Sequence, residues 1–161
     1  MRKNWQDKLA DNENYPKILK LEEKFPCYPT LKKMGVKAGD DIVLVNPSHV
    51  IRVMKSVPIG KLITIREICI KLAQEFNVQG CCSLTVGIFI MTAANAVDEA
   101  AKQGRELSIP YWRTLKAEGL LNEKFPGGLE SHKTLLEKEG FKIIAKGRYY
   151  FVQDFSKNLI E

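Results

Sequence analysis

Residues 57–68 read VPIGKLITIREI. Thr64 and Glu67 stand three apart at the head of an apolar-periodic run. In a capping box the threonine serves an early helical N–H, and the glutamate reaches back to the threonine's own N–H. Ile65, Ile68, Cys69, Leu72, Ala73 and Phe76 then recur at i, i+3, i+4, i+7, i+8 and i+11. That spacing lines one apolar face and predicts a helix over 65–76, closed by Asn77-Val78-Gln79-Gly80.

Downstream, SLTVGIFIMTAANAVDEAAK (83–102) predicts a second helix ended by Gly104. It is apolar almost all round from Leu84 to Met91 and rich in alanine afterwards. Helix, turn and helix form the outline of a helix-turn-helix pair, with a longer joining segment than usual. SIPYWRT (108–114) follows, with two aromatics between a proline and an arginine. The Gly and Pro punctuation of 115–128 predicts a small hairpin or wing-like loop. Residues 129–139 read as a helix with Gly140 as its C′ residue. Residues 141–144 and 148–152 alternate well enough for a hairpin around Lys146-Gly147.

Upstream, Asp41 to Val45 is a short β-branched run and a candidate strand. Asn46-Pro47-Ser48 starts a helix through about Ser56. Residues 1–36 alternate charges of both signs and are broken by Pro16, Pro26 and Pro29. They read as a peripheral arm with short helices near 4–10 and 17–24. The expected division is an N-terminal extension over 1–45 and one domain over 46–161.

The chain has 161 residues and a formal charge of +6. A basic balance permits an anionic partner without requiring one. No apolar run of the ~18–20 residues a bilayer helix needs stands out, and the mixed-charge N-terminus lacks a signal peptide's apolar core. The expectation is a cytoplasmic chain with no membrane partner. Cys27, Cys69, Cys81 and Cys82 include no Cys-x-x-Cys, and His49 and His132 complete no zinc spacing. Reduced, packed thiols and no metal or cofactor are expected.

From Val57 to Phe141 the order of motifs resembles the alkylguanine-DNA alkyltransferases, the methylated-DNA–protein cysteine methyltransferases. The matches are VPIGKLITIREI, Val86-Gly87, Ile109-Pro110 with Arg113, PGGLESHKTLL (126–136) and Glu139-Gly140. The resemblance implies an α+β fold with a winged helix-turn-helix domain. In that family the segment after Ile-Pro supplies an acceptor cysteine, a histidine and an arginine. Here those positions hold Tyr111, Trp112 and Arg113. Glu139 matches the glutamate that works through the histidine. The sulfur and the base are both missing, and a phenol with a pKa near ~10 is protonated at neutral pH. The chain is similar, in losing the cysteine, to the alkyltransferase-like proteins, which bind alkylated DNA without repairing it; they keep the histidine, and this chain loses that as well. It also departs at Ile65, where the family has a phosphate-rotating tyrosine, and near Met91, where it has an arginine that fills the hole left by a flipped base.

The resemblance therefore implies double-stranded DNA, alkylated or not, as the partner. A base pocket is expected at Pro110, Tyr111, Trp112, Arg113, Gly127 and Gly128. DNA contacts are expected from Lys61, Thr64, Arg66, Ser83, Thr85, Met91 and Thr92, with Lys116 adding charge nearby. Each has a plainer reading. Tyr111 and Trp112 can be packing aromatics, and Arg113 can organise the loop carbonyls. Ile88, Phe89 and Met91 can be core instead of a minor-groove wedge. Residues 83–101 contain no Lys or Arg, which disfavours phosphate neutralisation by this helix. A protein partner or homodimer through 84–91 is the alternative to DNA. A nucleophile relocated to Cys81 or Cys82, before a helix N-terminus, is the enzymatic alternative. His49 and His132 read as solvated.

Overall fold

The computed structural model describes residues 4–13 and 15–160; Met1 to Lys3 of the polar N-terminus lie outside them. The elements in chain order are α1 (Trp5–Leu9), β1 (Lys17–Lys20), α2 (Tyr28–Lys33), β2 (Asp41–Leu44), α3 (Pro47–Lys55), β3 (Ile63–Thr64), α4 (Ile65–Glu75), β4 (Gly80–Cys81) and α5 (Ser83–Lys102). A 3-10 turn at Tyr111–Arg113 follows, then β5 (Thr114–Leu115), α6 (Gly128–Lys138), β6 (Ile143–Lys146) and β7 (Tyr149–Val152). The fold is α+β with small sheets.

The capping box forms. The Thr64 N–H donates to Glu67 Oε1 at 3.1 Å, and the Thr64 hydroxyl donates to the same oxygen at 2.6 Å. Thr64 is fully buried, so this pairing satisfies a backbone donor that water cannot reach. Ile68, Cys69, Leu72 and Ala73 are the buried residues of α4, as the spacing required. Asn46 caps α3 by accepting from the His49 N–H, and His49 Nδ1 accepts from the Asn46 N–H.

Helix α5 is the element the others pack on. Val86, Ile90, Ala93, Ala94, Ala96 and Ala100 are buried. The alanines permit close approach where α1 and α3 meet it, and α4 packs on it as well. Contrary to the expectation from apolar runs, α5 is long and apolar enough, by length and composition alone, to cross a membrane. Its contacts with three helices account for that composition within this fold.

The N-terminal residues differ from their expected form. Lys17–Lys20 is a strand, not part of a helix over 17–24, and pairs antiparallel with β2. Strand β2 then pairs parallel with β4. Leu21, Leu31, Val36 and Ile42 close a second buried cluster with Cys27 and Cys82. Residues 5–45 thus share a sheet and a core with the rest of the chain. The wing-like hairpin expected over 115–128 is also different. Thr114–Leu115 pairs parallel with β3, and a tight turn closes with Lys116 N–H donating to the Leu120 carbonyl. Gly119 tops that turn at φ +81°, against the Phe155 ring. The hairpin at β6–β7 forms with Lys146 opposite Tyr149.

Replacing Glu67 by alanine leaves the buried Thr64 N–H without an acceptor. Urea denaturation of this variant should show a loss of about 1–2 kcal/mol. Glu67→Gln, which keeps an acceptor, should lose less.

Candidate nucleic-acid interface

Behind α5, the chain turns sharply at Tyr111–Arg113. Arg113 Nε donates to Glu139 Oε1 at 2.9 Å, and its Nη2 donates to Oε2 at 2.8 Å. Arg113 Nη1 donates to the Val57 carbonyl at 2.7 Å. The Trp112 indole N–H donates to Glu139 Oε2, also at 2.8 Å. The Gly60 N–H adds a further bond to the same carboxylate. The two charged side chains are only 11% and 12% exposed. Burial pushes the Glu139 carboxyl pKa up, but the Arg113, Trp112 and Gly60 donors outweigh it and hold it below the usual carboxylate value. Arg113 is therefore an organiser of the loop, with its guanidinium committed inward.

His132 is not solvated. It is 1% exposed. Its Nδ1 accepts from the Asn122 N–H at 3.1 Å, and its Nε2 lies 2.8 Å from the Trp112 carbonyl. Since Nδ1 must be an acceptor, the proton sits on Nε2. Burial lowers its pKa to about 4, with the Trp112 carbonyl opposing weakly. The ring also leans on Phe125, 4.9 Å between centroids. His49 is half-buried, edge-on to Phe76, and burial with the nearby Arg52 charge lowers its pKa too.

The residues expected to form a base pocket do not share one. Tyr111 is buried in the core, edge-on to Trp112 and to Phe125 with centroids 5.4 and 5.2 Å away. Burial, then the Asp98 charge, raises its phenol pKa. Gly127 and Gly128 lie at the start of α6, both in the left-handed region. Pro110, Trp112 and Arg113 instead line a separate cleft of about 680 Å³ with Lys55, Val97 and Arg105. Between Phe125 and α5 only a pit of about 50 Å³ remains.

The glutamate-to-aromatic contact is chemically informative. Trp112 stands at the position that resembles the family's histidine, and it still donates to Glu139. An indole N–H is a donor only and cannot take a proton from a neighbour. The geometry of a relay persists while its proton path is closed. Neither alternative thiol is placed for attack: Cys81 and Cys82 are buried, and the Cys69 hydrogen bond, with burial, pushes the Cys81 thiol pKa far up.

The open surface lies on the other side of α5. Ser83, Leu84, Gly87, Ile88, Met91 and Thr92 recur at helical spacing along one groove of about 610 Å³. Leu84 is 52% and Ile88 57% exposed. Lys116 and Lys124 lie along this groove, and Trp5 also lines it. A neighbouring cleft shares Thr30, Ile65 and Ser83 with it and adds Lys33 and Arg66. Lys116 pairs with Glu123 at 2.7 Å. Among the described residues Lys33, Arg66 and Lys124 make no ion pair, and none is buried.

The expected DNA contacts therefore divide. Arg66, Ser83, Met91 and Thr92 border this surface, and Met91 Sδ accepts a weak bond from Asn122 Nδ2 at 3.6 Å. Thr92 is nonetheless buried, its hydroxyl spent on the Ile88 carbonyl. Thr64 is buried in the capping box. Lys61 lies away, beside Ser156 and Lys157. Thr85 is half-buried and lines none of these clefts. Sequence reasoning placed Leu84 on the 84–91 surface, as a protein-partner alternative, and missed Lys33 and Lys124, which no local signal marks.

The fold is thus α+β, with Trp112 and Arg113 gathered on Glu139. The chain is similar to S. pombe Atl1 solved with damaged DNA containing O6-carboxymethylguanine, at 19% identity and a TM-score of 0.50. That match covers 71% of this chain and 94% of the other. It is likewise similar to S. pombe ATL solved with DNA, at 16% identity and a TM-score of 0.52 over the same shares. The chain has the alkyltransferase-like fold, and the relationship at these identities is distant. No protein-family model matches the chain, and no curated protein matches it significantly.

Glu139→Ala strands a buried guanidinium. Chemical denaturation should show a loss of about 3–5 kcal/mol, larger than for any exposed ion pair of the protein. Stability should also depend on pH in a defined window. The folded His132 resists protonation, so below pH 6.5 the unfolded chain takes up a proton that the native state does not. Stability is lost as pH falls from about 6.5 to about 4, on the order of 3 kcal/mol from this residue. His49 acts in the same sense, and Glu139 adds its loss at lower pH. Urea midpoints across this range should flatten in His132→Gln, which keeps a donor and an acceptor.

Proposed function

We propose that this chain is a non-catalytic, double-stranded DNA-binding protein that meets DNA with the exposed face of α5. The observation that carries the reading is the stripe Leu84, Gly87, Ile88 and Met91 beside Lys33, Arg66, Lys116 and Lys124. The fold it shares with Atl1, which was solved with damaged DNA, supports DNA as the partner. Apolar wedges at a minor groove unstack base steps, while cations beside them neutralise phosphates.

Gly87 supports this reading independently. A glycine inside a helix costs about 1 kcal/mol relative to alanine. A Cβ at Gly87 would meet only Ile65 Cδ1, at an ordinary 3.5 Å. Packing within the protein does not require glycine there, whereas close approach of a ligand to the helix does.

The same geometry bears on lesions. A flipped alkylguanine beside Tyr111 would have to displace the Tyr111–Phe125 contact. In the closed arrangement the protein binds the duplex by wedge and backbone and gains little from an alkyl group. A second reading, a protein partner on Leu84 and Ile88, draws on the absence of Lys and Arg from 83–101; a stable dimer in sedimentation would favour it.

The test is a titration of labelled duplexes, unmodified or carrying O6-alkylguanine, across salt concentrations. Binding should fall with salt at a log–log slope of about −3, for three to four cations engaged, and the two duplexes should differ little. Gly87→Ala should stabilise the fold by about 0.5–1 kcal/mol yet bind more weakly. Absence of salt-dependent binding overturns the DNA reading. Binding of the alkylated duplex more than tenfold tighter shows instead that the Tyr111 pocket opens.

A further inference from the structure

Helix α1 lies outside the Val57–Phe141 stretch that carries the alkyltransferase resemblance, yet it is docked on α5. The N–H groups of Trp5 and Gln6 donate to the Glu99 carboxylate at 3.1 and 3.2 Å. Gln6 Nε2 adds a third bond to Glu99 at 2.8 Å. Arg105 Nη2 donates to the Gln6 side-chain carbonyl at 3.0 Å. Leu9 is buried in the main core, and Asn4 caps the helix by accepting from the Asp7 N–H at 2.8 Å. A helix of five residues has no stability of its own, so these contacts fix where it sits.

What the docking presents is Trp5. Its ring is 38% exposed and lines the same groove as Leu84, Ile88 and Met91. Glu99 lies beyond Thr92 on α5, which puts Trp5 toward the far end of the stripe from Ser83. Lys8 Nζ stands 4.4 Å from the ring centroid, placing a cation beside an aromatic face. Four bonds holding a surface tryptophan at the mouth of an apolar groove are a large investment for a residue that only half packs. Aromatic faces with adjacent cations suit nucleobases and the phosphates that flank them.

We infer that Trp5, held by the Glu99 clamp and paired with Lys8, is a second DNA contact that extends the α5 interface by stacking on a base. The inference rests on the DNA reading above, and it assigns the N-terminal helix to the binding surface. Charge complementarity commits the occupant to DNA: Lys116 and Lys124 line the groove and Lys8 stands over the Trp5 ring, while Glu123 is paired with Lys116.

The experiment uses the full chain as wild type, Trp5→Ala and Trp5→Phe, with fluorescence anisotropy of a labelled duplex and tryptophan emission during titration. Melting temperatures should be close to one another, because α1 is held largely by backbone donors and Leu9. Trp5→Ala should bind about five- to tenfold more weakly at an unchanged salt slope, since no cation is lost. Trp5→Phe should recover most of the affinity. The emission difference between wild type and Trp5→Ala should be quenched by DNA. Equal or tighter binding by Trp5→Ala, or an unquenched difference, overturns the inference while the DNA reading stands. If the wild type binds no duplex, the DNA reading falls, and this inference with it.

Discussion

The arrangement depends on one buried carboxylate. Glu139 collects donors from Arg113, Trp112 and Gly60, and Arg113 reaches on to the Val57 carbonyl. The end of α6, the turn at Tyr111–Arg113 and the loop before β3 are thereby held by one ion pair. A charge pair out of water is tolerable only when its remaining donors and acceptors are satisfied. Here they are, so the loop has one low-energy course. That course turns Tyr111 into the core and sets its ring on Phe125.

The same constraint explains how the turn at Tyr111–Arg113 is packed. Tyr111 packs edge-on to Trp112 and Phe125, and Trp112 bonds Glu139, so the space beside the turn is filled by protein. The aromatic pairs contribute packing of about 0.5–1.5 kcal/mol each beyond area burial, which favours the closed form. His132 completes the closure from the other side, bonding the Asn122 N–H and the Trp112 carbonyl. Smaller side chains at these positions would leave a cavity, and cavities are destabilising. Exposed apolar surface lies instead across α5, at Leu84 and Ile88.

Much of the framework was legible in the sequence because its determinants are local. Thr64 and Glu67 mark a helix start three residues apart, α5 announces itself by composition, and Glu139 was found by motif order. What escaped depended on partners far along the chain. Lys17–Lys20 has no decisive alternation, and it is a strand because Asp41–Leu44 lies opposite it. His132 looked like a solvated helix residue because nothing nearby shows that Trp112 and Asn122 will close over it. Leu84 and Lys124 are distant in sequence yet line one groove, and Lys33 lines the cleft beside it. The residues expected at one pocket divide for a related reason: the sequence does not show that Tyr111 turns into the core while Pro110, Trp112 and Arg113 line a cleft.

The charge pattern fits this division. The chain carries +6 overall, yet 83–101 holds Asp98 and Glu99 and no cation. Glu99 is not idle repulsion, since it is spent on the N–H groups of α1. An apolar helix flanked by lysines and an arginine from other elements separates two tasks that one basic helix would combine. On the DNA reading proposed above, phosphate attraction would come from the rim, where side chains stay hydrated and long. The central face, free of charge, can meet stacked bases without first stripping water from an ammonium group. Moving the cations off α5 therefore does not argue against DNA; it places the desolvation where it costs least.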